Sequence, residues 1–222
     1  ITNMHMSILI HAAISTGKRI LWSGTAALAD MLLSLESRSL SALAVVASLS
    51  KVSNQQLLYA RDQGAFLIEV PIDKIISGEV VPEMIASEAV EVLSQGQDVI
   101  IASASSINRS TAFEKTDKAA ARAGIPAESV SEYTAGMMGK ISRLVLSKYR
   151  PAGVFLTGGD TAISFFNSAE SLGSSIVTEI APGIPMMNLN GGPFDGLKVI
   201  TKAGAFGKED AISYALRKLK EV

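Results

Sequence analysis

Residues 154 to 161, Val154-Phe155-Leu156-Thr157-Gly158-Gly159-Asp160-Thr161, run from an apolar segment through two glycines into a polar pair. The β-branched and apolar residues predict a buried strand, and the amphipathic segment 162–170 predicts a helix. Because glycine lacks a Cβ, the backbone between them can bend and approach a ligand. A helix N-terminus carries roughly half a positive charge and binds anions, phosphate above all. The stretch therefore predicts a strand, an anion-binding loop and a helix, or simply a turn with Asp160 as the helix N-cap.

The composition of the chain indicates a globular protein with a sizeable core. Of its 222 residues, 48% are apolar and 18% are charged. No apolar run approaches the roughly 20 residues of a membrane span. The net charge of −1 gives no electrostatic reason for nucleic acid or an anionic membrane as a partner. We therefore expect neither kind of partner.

Cysteine usage and the N-terminus bear on the location of the protein. The chain has no cysteine, which excludes disulfides and thiolate metal sites. The first residues lack the pattern of a signal peptide, so a cytoplasmic location is expected. Because residue 1 is Ile rather than Met, we expect the chain to be either a fragment of a longer protein or a processed chain.

Apolar segments of strand and helix type alternate along most of the chain. Strands are predicted at 19–22, 42–47, 65–70, 98–103 and from 154, and helices at 4–14, 26–35, 53–62, 83–93, 111–123, 128–149, 162–170 and 209–218. Ser53 and Gln56 have the spacing of a capping box, which predicts the start of the third helix. Three further apolar pieces, 175–180, 185–189 and 197–201, are too short for helices. Such alternation predicts a three-layer αβα domain with a mixed, mostly parallel sheet, Rossmann-like, over residues 20–222.

Small residues follow several of the predicted strands, at 23–25, 48–50, 103–105 and 158–161, and the segment 202–207 repeats this pattern. Ligands bind at the carboxyl edge of a parallel sheet, so these loops are predicted to meet there. Small residues are also common in such turns without any ligand. Asp160 is interpreted either as a helix cap or as an outer-sphere magnesium contact. Lys202 is either a counter-charge for phosphate or a solvated lysine.

Several common motifs are absent from the sequence. It has no Walker loop and no Gly-x-Gly-x-x-Gly fingerprint. The two histidines, His5 and His11, are six residues apart in the first predicted helix, and we expect surface or interface positions for both. No cluster of ligands predicts a metal site.

The loops resemble those of a known family. Thr157-Gly158-Gly159-Asp160-Thr161-Ala162, then Glu179-Ile180-Ala181-Pro182-Gly183-Ile184-Pro185, then Lys202-Ala203-Gly204-Ala205-Phe206-Gly207 look in order and spacing like the C-terminal half of the four-carbon acid sugar kinases. The earlier pieces 23–29 and 47–50, the latter followed by Gln55-Gln56, resemble that family as well. The resemblance begins near residue 20 and runs to the end of the chain.

The resemblance implies an ATP-binding domain of a kinase that phosphorylates threonate, erythronate or a 3-oxo-tetronate. ATP, with Mg expected beside it, would be bound by Ser48, the loop Gly158, Gly159, Asp160 and Thr161, and Gly204; Gly207, in the same segment, is a further candidate. The sugar acid and the catalytic base would lie on a missing N-terminal domain, to which residues 1–19 lead. This chain alone would be inactive, and the exposed apolar residues of its first helix favour self-association.

Two other functions fit the same loops. One is a non-catalytic module that binds a nucleotide or a sugar phosphate. The other is a phosphosugar isomerase, which is less favoured because no histidine, cysteine or carboxylate cluster is available as its acid and base.

Overall fold

The computed structural model describes residues 3–14, 16, 18–29, 32 and 41–221 of the chain. Its sheet has seven strands, and β1 (Leu43–Val46) is the third across it. The strand order is β2-β3-β1-β4-β7-β6-β5. The other strands are β2 (Phe66–Val70), β3 (Val99–Ser103), β4 (Val154–Thr157), β5 (Gly173–Ala181), β6 (Ile184–Asn190) and β7 (Lys198–Lys202). Pairing is parallel from β2 to β7 and antiparallel between β7, β6 and β5. The short apolar pieces near the C-terminus therefore form the antiparallel edge.

Helices that follow β1 cover both faces of the sheet, and nine α-helices have both ends within the described residues. They are α1 (Asn3–Ile14), α2 (Lys51–Asp62), α3 (Ile72–Ile76), α4 (Pro82–Ser94), α5 (Ala104–Ile107), α6 (Arg109–Arg122), α7 (Val130–Leu146), α8 (Gly159–Ser168) and α9 (Ala211–Lys220). A short 3-10 turn, Ala127–Ser129, leads into α7. Sequence periodicity did not predict α3 and α5, because one turn of helix is too short to show a repeat.

The strands alternate their side chains between two cores. On one face, Val45, Ile101 and Leu156 pack with residues of α4, α7 and α8. On the other face, Val46 and Phe155 pack with residues of α2 and α9. These central strands are buried at every position, as expected for a parallel sheet covered on both sides. The predicted three-layer α/β fold with a mixed, mostly parallel sheet is confirmed.

The start of α2 differs from the prediction. The helix begins at Lys51, and the N-cap is Ser50, whose hydroxyl accepts from the backbone N–H of Val52 at 3.2 Å. Ser53 and Gln56 are buried and bond to a distant loop instead. The predicted capping box is therefore wrong, because tertiary hydrogen bonds take up both side chains.

The chain divides into two compact units, Ile1–Ser39 and Leu40–Val222, and the whole sheet belongs to the second. In the first unit, α1 confirms the predicted first helix. The strand predicted at 19–22 is wrong, since residues 18–25 have no regular structure and Leu21 is 96% exposed. A strand needs a paired neighbour, and the described part of this unit contains none. Residues 26–29 and 32 are helical, and the rest of the helix predicted at 26–35 lies outside the described residues.

Candidate functional site

Strands β1 and β4 are parallel neighbours, and the chain continues from them to opposite faces of the sheet. Helix α2 follows β1 and packs on one face, whereas α8 follows β4 and packs on the other. Such a divergence opens a crevice at the carboxyl edge of the sheet, where ligands of doubly wound folds bind. The structure therefore places the 48–50 and 158–161 loops side by side, as predicted.

A cleft of about 340 Å³ occupies this crevice. Its volume lies within the usual range of small-molecule sites. Ser48 and all of Gly158, Gly159, Asp160 and Thr161 line it, together with Ser105 after β3. We call this space the nucleotide cleft, after the ligand that the sequence predicts for its loops; its remaining lining residues are Ala47, Leu49, Phe113, Thr116, Asp117, Ala127, Val130, Ser131, Thr134 and Ala135. Three of the four loops predicted to share one edge therefore meet, and the loop at 23–25 belongs to the other unit and follows no strand.

The glycine loop, Gly158–Thr161, is open toward the cleft. Gly158 is the N-cap of α8 and has φ +104°, a conformation that favours glycine. A Cβ on Gly159 would meet no atom of the described structure within 4 Å. The first N–H groups of a helix have no partner within the helix. The loop therefore offers backbone donors and free space at the same point, which suits a phosphate.

Asp160 does not cap the helix, so that interpretation is wrong. The N-cap is Gly158, and no side chain caps this helix end. The reason is geometric, because Asp160 already lies one residue inside α8. Its exposed carboxylate stands near the positive end of the helix dipole and lines the nucleotide cleft.

Sequence reasoning missed the wall of the cleft formed by α6 and α7. Phe113 and Asp117 come from α6, and Val130, Thr134 and Ala135 come from α7. These residues carry no motif, and their helices come after the short helix α5 rather than directly after β3. The one sequence signal was the predicted break at 124–126, which lets α6 and α7 fold against each other beside the cleft.

The lysine segment, Lys202–Lys208, lies behind the cleft. The side chain of Lys202 is only 3% exposed, so the solvated alternative is wrong. Its Nζ donates to the carbonyls of Ala203, Gly204 and Phe206 at 3.0, 3.1 and 3.1 Å. Burial lowers the pKa of Lys202 to about 8. The ammonium thus binds its own loop.

Helix α2 holds the lysine segment from the other side. Ser53 donates to the carbonyl of Gly204 at 2.8 Å, and Nε2 of Gln56 donates to three carbonyls of the segment, those of Phe206, Gly207 and Lys208. A Cβ on Gly204 would come within 2.6 Å of Oγ of Ser48. Gly204 and Gly207 are outside the lining of the nucleotide cleft, and Gly204 supports Ser48 from behind. Their predicted contacts with ATP stay predictions.

The described residues contain no metal-type cluster of three or more His, Cys, Asp or Glu side chains. Their helices include none that is long and apolar enough to cross a membrane.

Comparison with known proteins identifies the family of the chain. Residues 43–212 match the model of a family described as the nucleotide-binding C-terminal domain. A D-threonate kinase of Bordetella bronchiseptica is 35% identical over 99 residues, 45% of this chain and 24% of that protein. A D-threonate kinase of Salmonella typhimurium is 26% identical over 224 residues, 98% of this chain and 52% of that protein. The chain thus spans about half the length of the second relative and a quarter of the first.

Solved structures share the fold. A Bordetella bronchiseptica protein described as a domain of unknown function, a domain-swapped dimer with bound citrate, has a TM-score of 0.64 at 21% identity, over 99% of this chain and 51% of that one. A Haemophilus influenzae protein has a TM-score of 0.65 at 17% identity, over 98% and 52%. At these identities the likeness shows the fold alone.

The fold is that of an α/β domain with a cleft at the carboxyl edge of its sheet. The chain belongs to the nucleotide-binding C-terminal domains of the four-carbon acid sugar kinase family, as its loops predicted.

Proposed function

We propose that this chain is the ATP-binding part of a kinase that transfers the terminal phosphoryl group of ATP to a hydroxyl of a four-carbon sugar acid. The observation that carries the proposal is the glycine loop at the N-terminus of α8, which opens into the nucleotide cleft at the point where β1 and β4 diverge. In the reaction, the hydroxyl oxygen forms a bond to the γ-phosphorus while the bond to the oxygen bridging the β- and γ-phosphates breaks. The hydroxyl proton passes to a base.

The cleft has two sides that suit the two ends of a nucleotide. Phe113, Val130 and Ala135 offer an apolar wall for the base. The glycine loop and the Ser48 hydroxyl offer donors for the phosphates. Phosphoryl transfer depends mainly on positioning and charge stabilisation. Backbone N–H groups at a helix end can supply both without a nucleophilic side chain.

Magnesium fits the same cleft. Mg²⁺ is commonly held by one or two carboxylates, water and substrate phosphates. Asp160 and Asp117 both line the cleft, and Asp160 follows the glycines directly. Bound there with ATP, the ion would neutralise charge on the phosphates. Asp160 would thus contact the ion or its waters. This is the second of the two roles considered for Asp160 from the sequence, since the structure excludes the helix cap.

The base and most of the acid site are proposed to lie on another domain. A general base must come within hydrogen-bond reach of the attacking hydroxyl. In the described part of the nucleotide cleft, Asp117 and Asp160 are the titratable side chains, and the magnesium role takes both. The D-threonate kinase relatives are longer than this chain, which supports a partner domain and favours a kinase over a non-catalytic module. Self-association of the chain and a cytoplasmic location stay predictions.

A thermal-shift panel tests the nucleotide. ATP and ADP should raise the Tm of this chain more than GTP at equal concentration, and magnesium should increase the ATP shift. Equal shifts with all nucleotides, or none, would contradict an ATP site.

A coupled assay of ADP release tests the chemistry. With threonate or erythronate, the full-length protein should turn over ATP and this chain alone should not. Comparable turnover by both would show that these 222 residues contain the base.

A further inference from the structure

A second cleft of about 400 Å³ adjoins the nucleotide cleft. The two share Leu49 and Ser105 in their linings, so they adjoin at the segments that follow β1 and β3. We call the second space the basic cleft; its lining residues are Leu49, Ser50, Lys51, Asn54, Ser105, Ser106, Ile107, Asn108, Arg109 and Ser110.

The two clefts carry opposite formal charge. The lining of the nucleotide cleft contains two carboxylates, Asp117 and Asp160, and no cation. The lining of the basic cleft contains two cations, Lys51 and Arg109, and no carboxylate. Neither cation forms an ion pair with any residue that the structure describes. Both residues are exposed, so their charges are available to an anionic ligand that enters the cleft.

Backbone and hydroxyl donors surround these cations. Lys51 is the first residue of α2 and Arg109 the first residue of α6, so two helix N-termini converge on the basic cleft. Asn108, the N-cap of α6, makes no side-chain cap, and its Oδ1 accepts from the Ser110 hydroxyl instead. The free N–H groups of this first turn therefore remain available to a ligand. Asn54, by contrast, donates to the carbonyls of Ser106 and Ile107 and holds the wall in place.

Together, the two cations and the free backbone N–H groups favour the binding of an oxyanion. Arginine binds the two oxygens of a carboxylate or phosphate at once, and lysine adds a point charge. We propose that the basic cleft binds an anionic group of the reactants, either the acid acceptor's carboxylate or the terminal phosphate of ATP. Both would have to lie beside the glycine loop when the phosphoryl group is transferred. The inference rests on the proposed kinase function, although anion binding itself can be tested apart from it.

The decisive variant is the pair Lys51→Ala and Arg109→Ala. Its matched control is Lys115→Ala with Arg122→Ala, which removes the same charge from α6 outside both clefts. Inorganic phosphate should raise the Tm of the cleft pair by clearly less than that of the wild-type chain or of the control, because the glycine loop can still bind phosphate in all three and only the cleft pair loses the second site. This arm needs no nucleotide, so it can succeed even if the chain fails to bind ATP and the proposed function falls.

Calorimetry and kinetics then identify the anion. If the terminal phosphate occupies the basic cleft, the cleft pair should bind ATP at least tenfold more weakly, with AMP affinity unchanged. If the acceptor's carboxylate does, nucleotide affinity should persist while the full-length variant shows a KM for threonate at least tenfold higher. Equal losses in the cleft pair and the control, or no loss in either assay, would overturn the proposal.

Discussion

The glycine loop and the lysine segment begin at the ends of adjacent parallel strands, β4 and β7, and both contain glycines, yet their surroundings differ. A Cβ on Gly159 would enter empty space, whereas a Cβ on Gly204 would press within 2.6 Å of the Ser48 hydroxyl. One loop opens toward the nucleotide cleft, and the other is filled by Lys202 and Gln56. Two similar sequences at one sheet edge thus have different roles. The glycine loop presents hydrogen-bond donors, and the lysine segment supports the loop that carries Ser48.

This contrast predicts that substitutions in the glycine loop change binding while substitutions in the lysine segment change stability first. The largest effect is expected for Gly159→Val. The new side chain would occupy the space in front of the first N–H groups of α8, so ATP affinity should fall by about 100-fold or more, since hydrogen bonds to a charged group are worth about 1.5–3 kcal/mol each. Calorimetric titration with ATP measures the loss.

Gly173→Val is the matched control for this change. Gly173 also has open space around its Cβ position and lies at the start of β5, outside the nucleotide cleft. Its substitution should leave ATP affinity unaltered, and both variants should keep a Tm near that of the wild type. Undiminished affinity in Gly159→Val would mean that the loop is structural and that the phosphates bind elsewhere.

The second prediction concerns the ammonium of Lys202. Lys202→Met keeps most of the side-chain volume but removes the donor shared by three carbonyls. We expect a loss of about 2 kcal/mol in unfolding free energy, because the substitution leaves three carbonyls of the segment without their shared donor. Urea denaturation measures it. Lys198→Met on the same strand, where the side chain is only half-buried, should cost much less, and equal losses would argue against a special role for Lys202.

Much of the fold could be predicted from the sequence, because the parallel strands are continuous apolar runs. Segments predicted at 42–47, 65–70 and 98–103 match β1, β2 and β3 to within a residue or two. The grouping of Ser48 with the glycine loop also followed from strand order at the sheet edge.

The division of tasks between the loops could not be predicted, because it depends on contacts between distant residues. Ser53 and Gly204 are 151 positions apart, and no local pattern reveals their hydrogen bond. The same holds for the burial of Lys202 and for the wall of α6 and α7. The strand predicted at 19–22 failed for a different reason, since the described part of its unit contains no strand with which it could pair.

The third prediction tests the support that Gly204 gives to Ser48. Gly204→Ala forces a methyl group against the Ser48 hydroxyl, and over-packing of this kind typically costs about 1–3 kcal/mol. We expect about 1 kcal/mol here because the serine can rotate away. ATP affinity should then fall by less than in Gly159→Val. The double variant Gly204→Ala with Ser48→Ala should recover stability, and a failure to recover would place the strain elsewhere.

The smallest predicted effect is a pH dependence of the unfolding free energy that comes from the lysine segment and not from the glycine loop. Burial lowers the folded-state pKa of Lys202 to about 8, whereas the unfolded chain titrates near the ordinary lysine value of 10.5. Between these two values the unfolded state binds more protons than the folded state, so unfolding free energy rises with pH across this window. The cost of burying the ammonium is complete below pH 8 and is relieved as pH rises toward 10.5. From pH 7 to 9 the gain should be about 1 kcal/mol. Because other groups titrate as well, the quantity to measure is the difference in pH slope between wild type and Lys202→Met. Parallel slopes would show that the ammonium keeps its proton, held by the three carbonyls more firmly than burial opposes it.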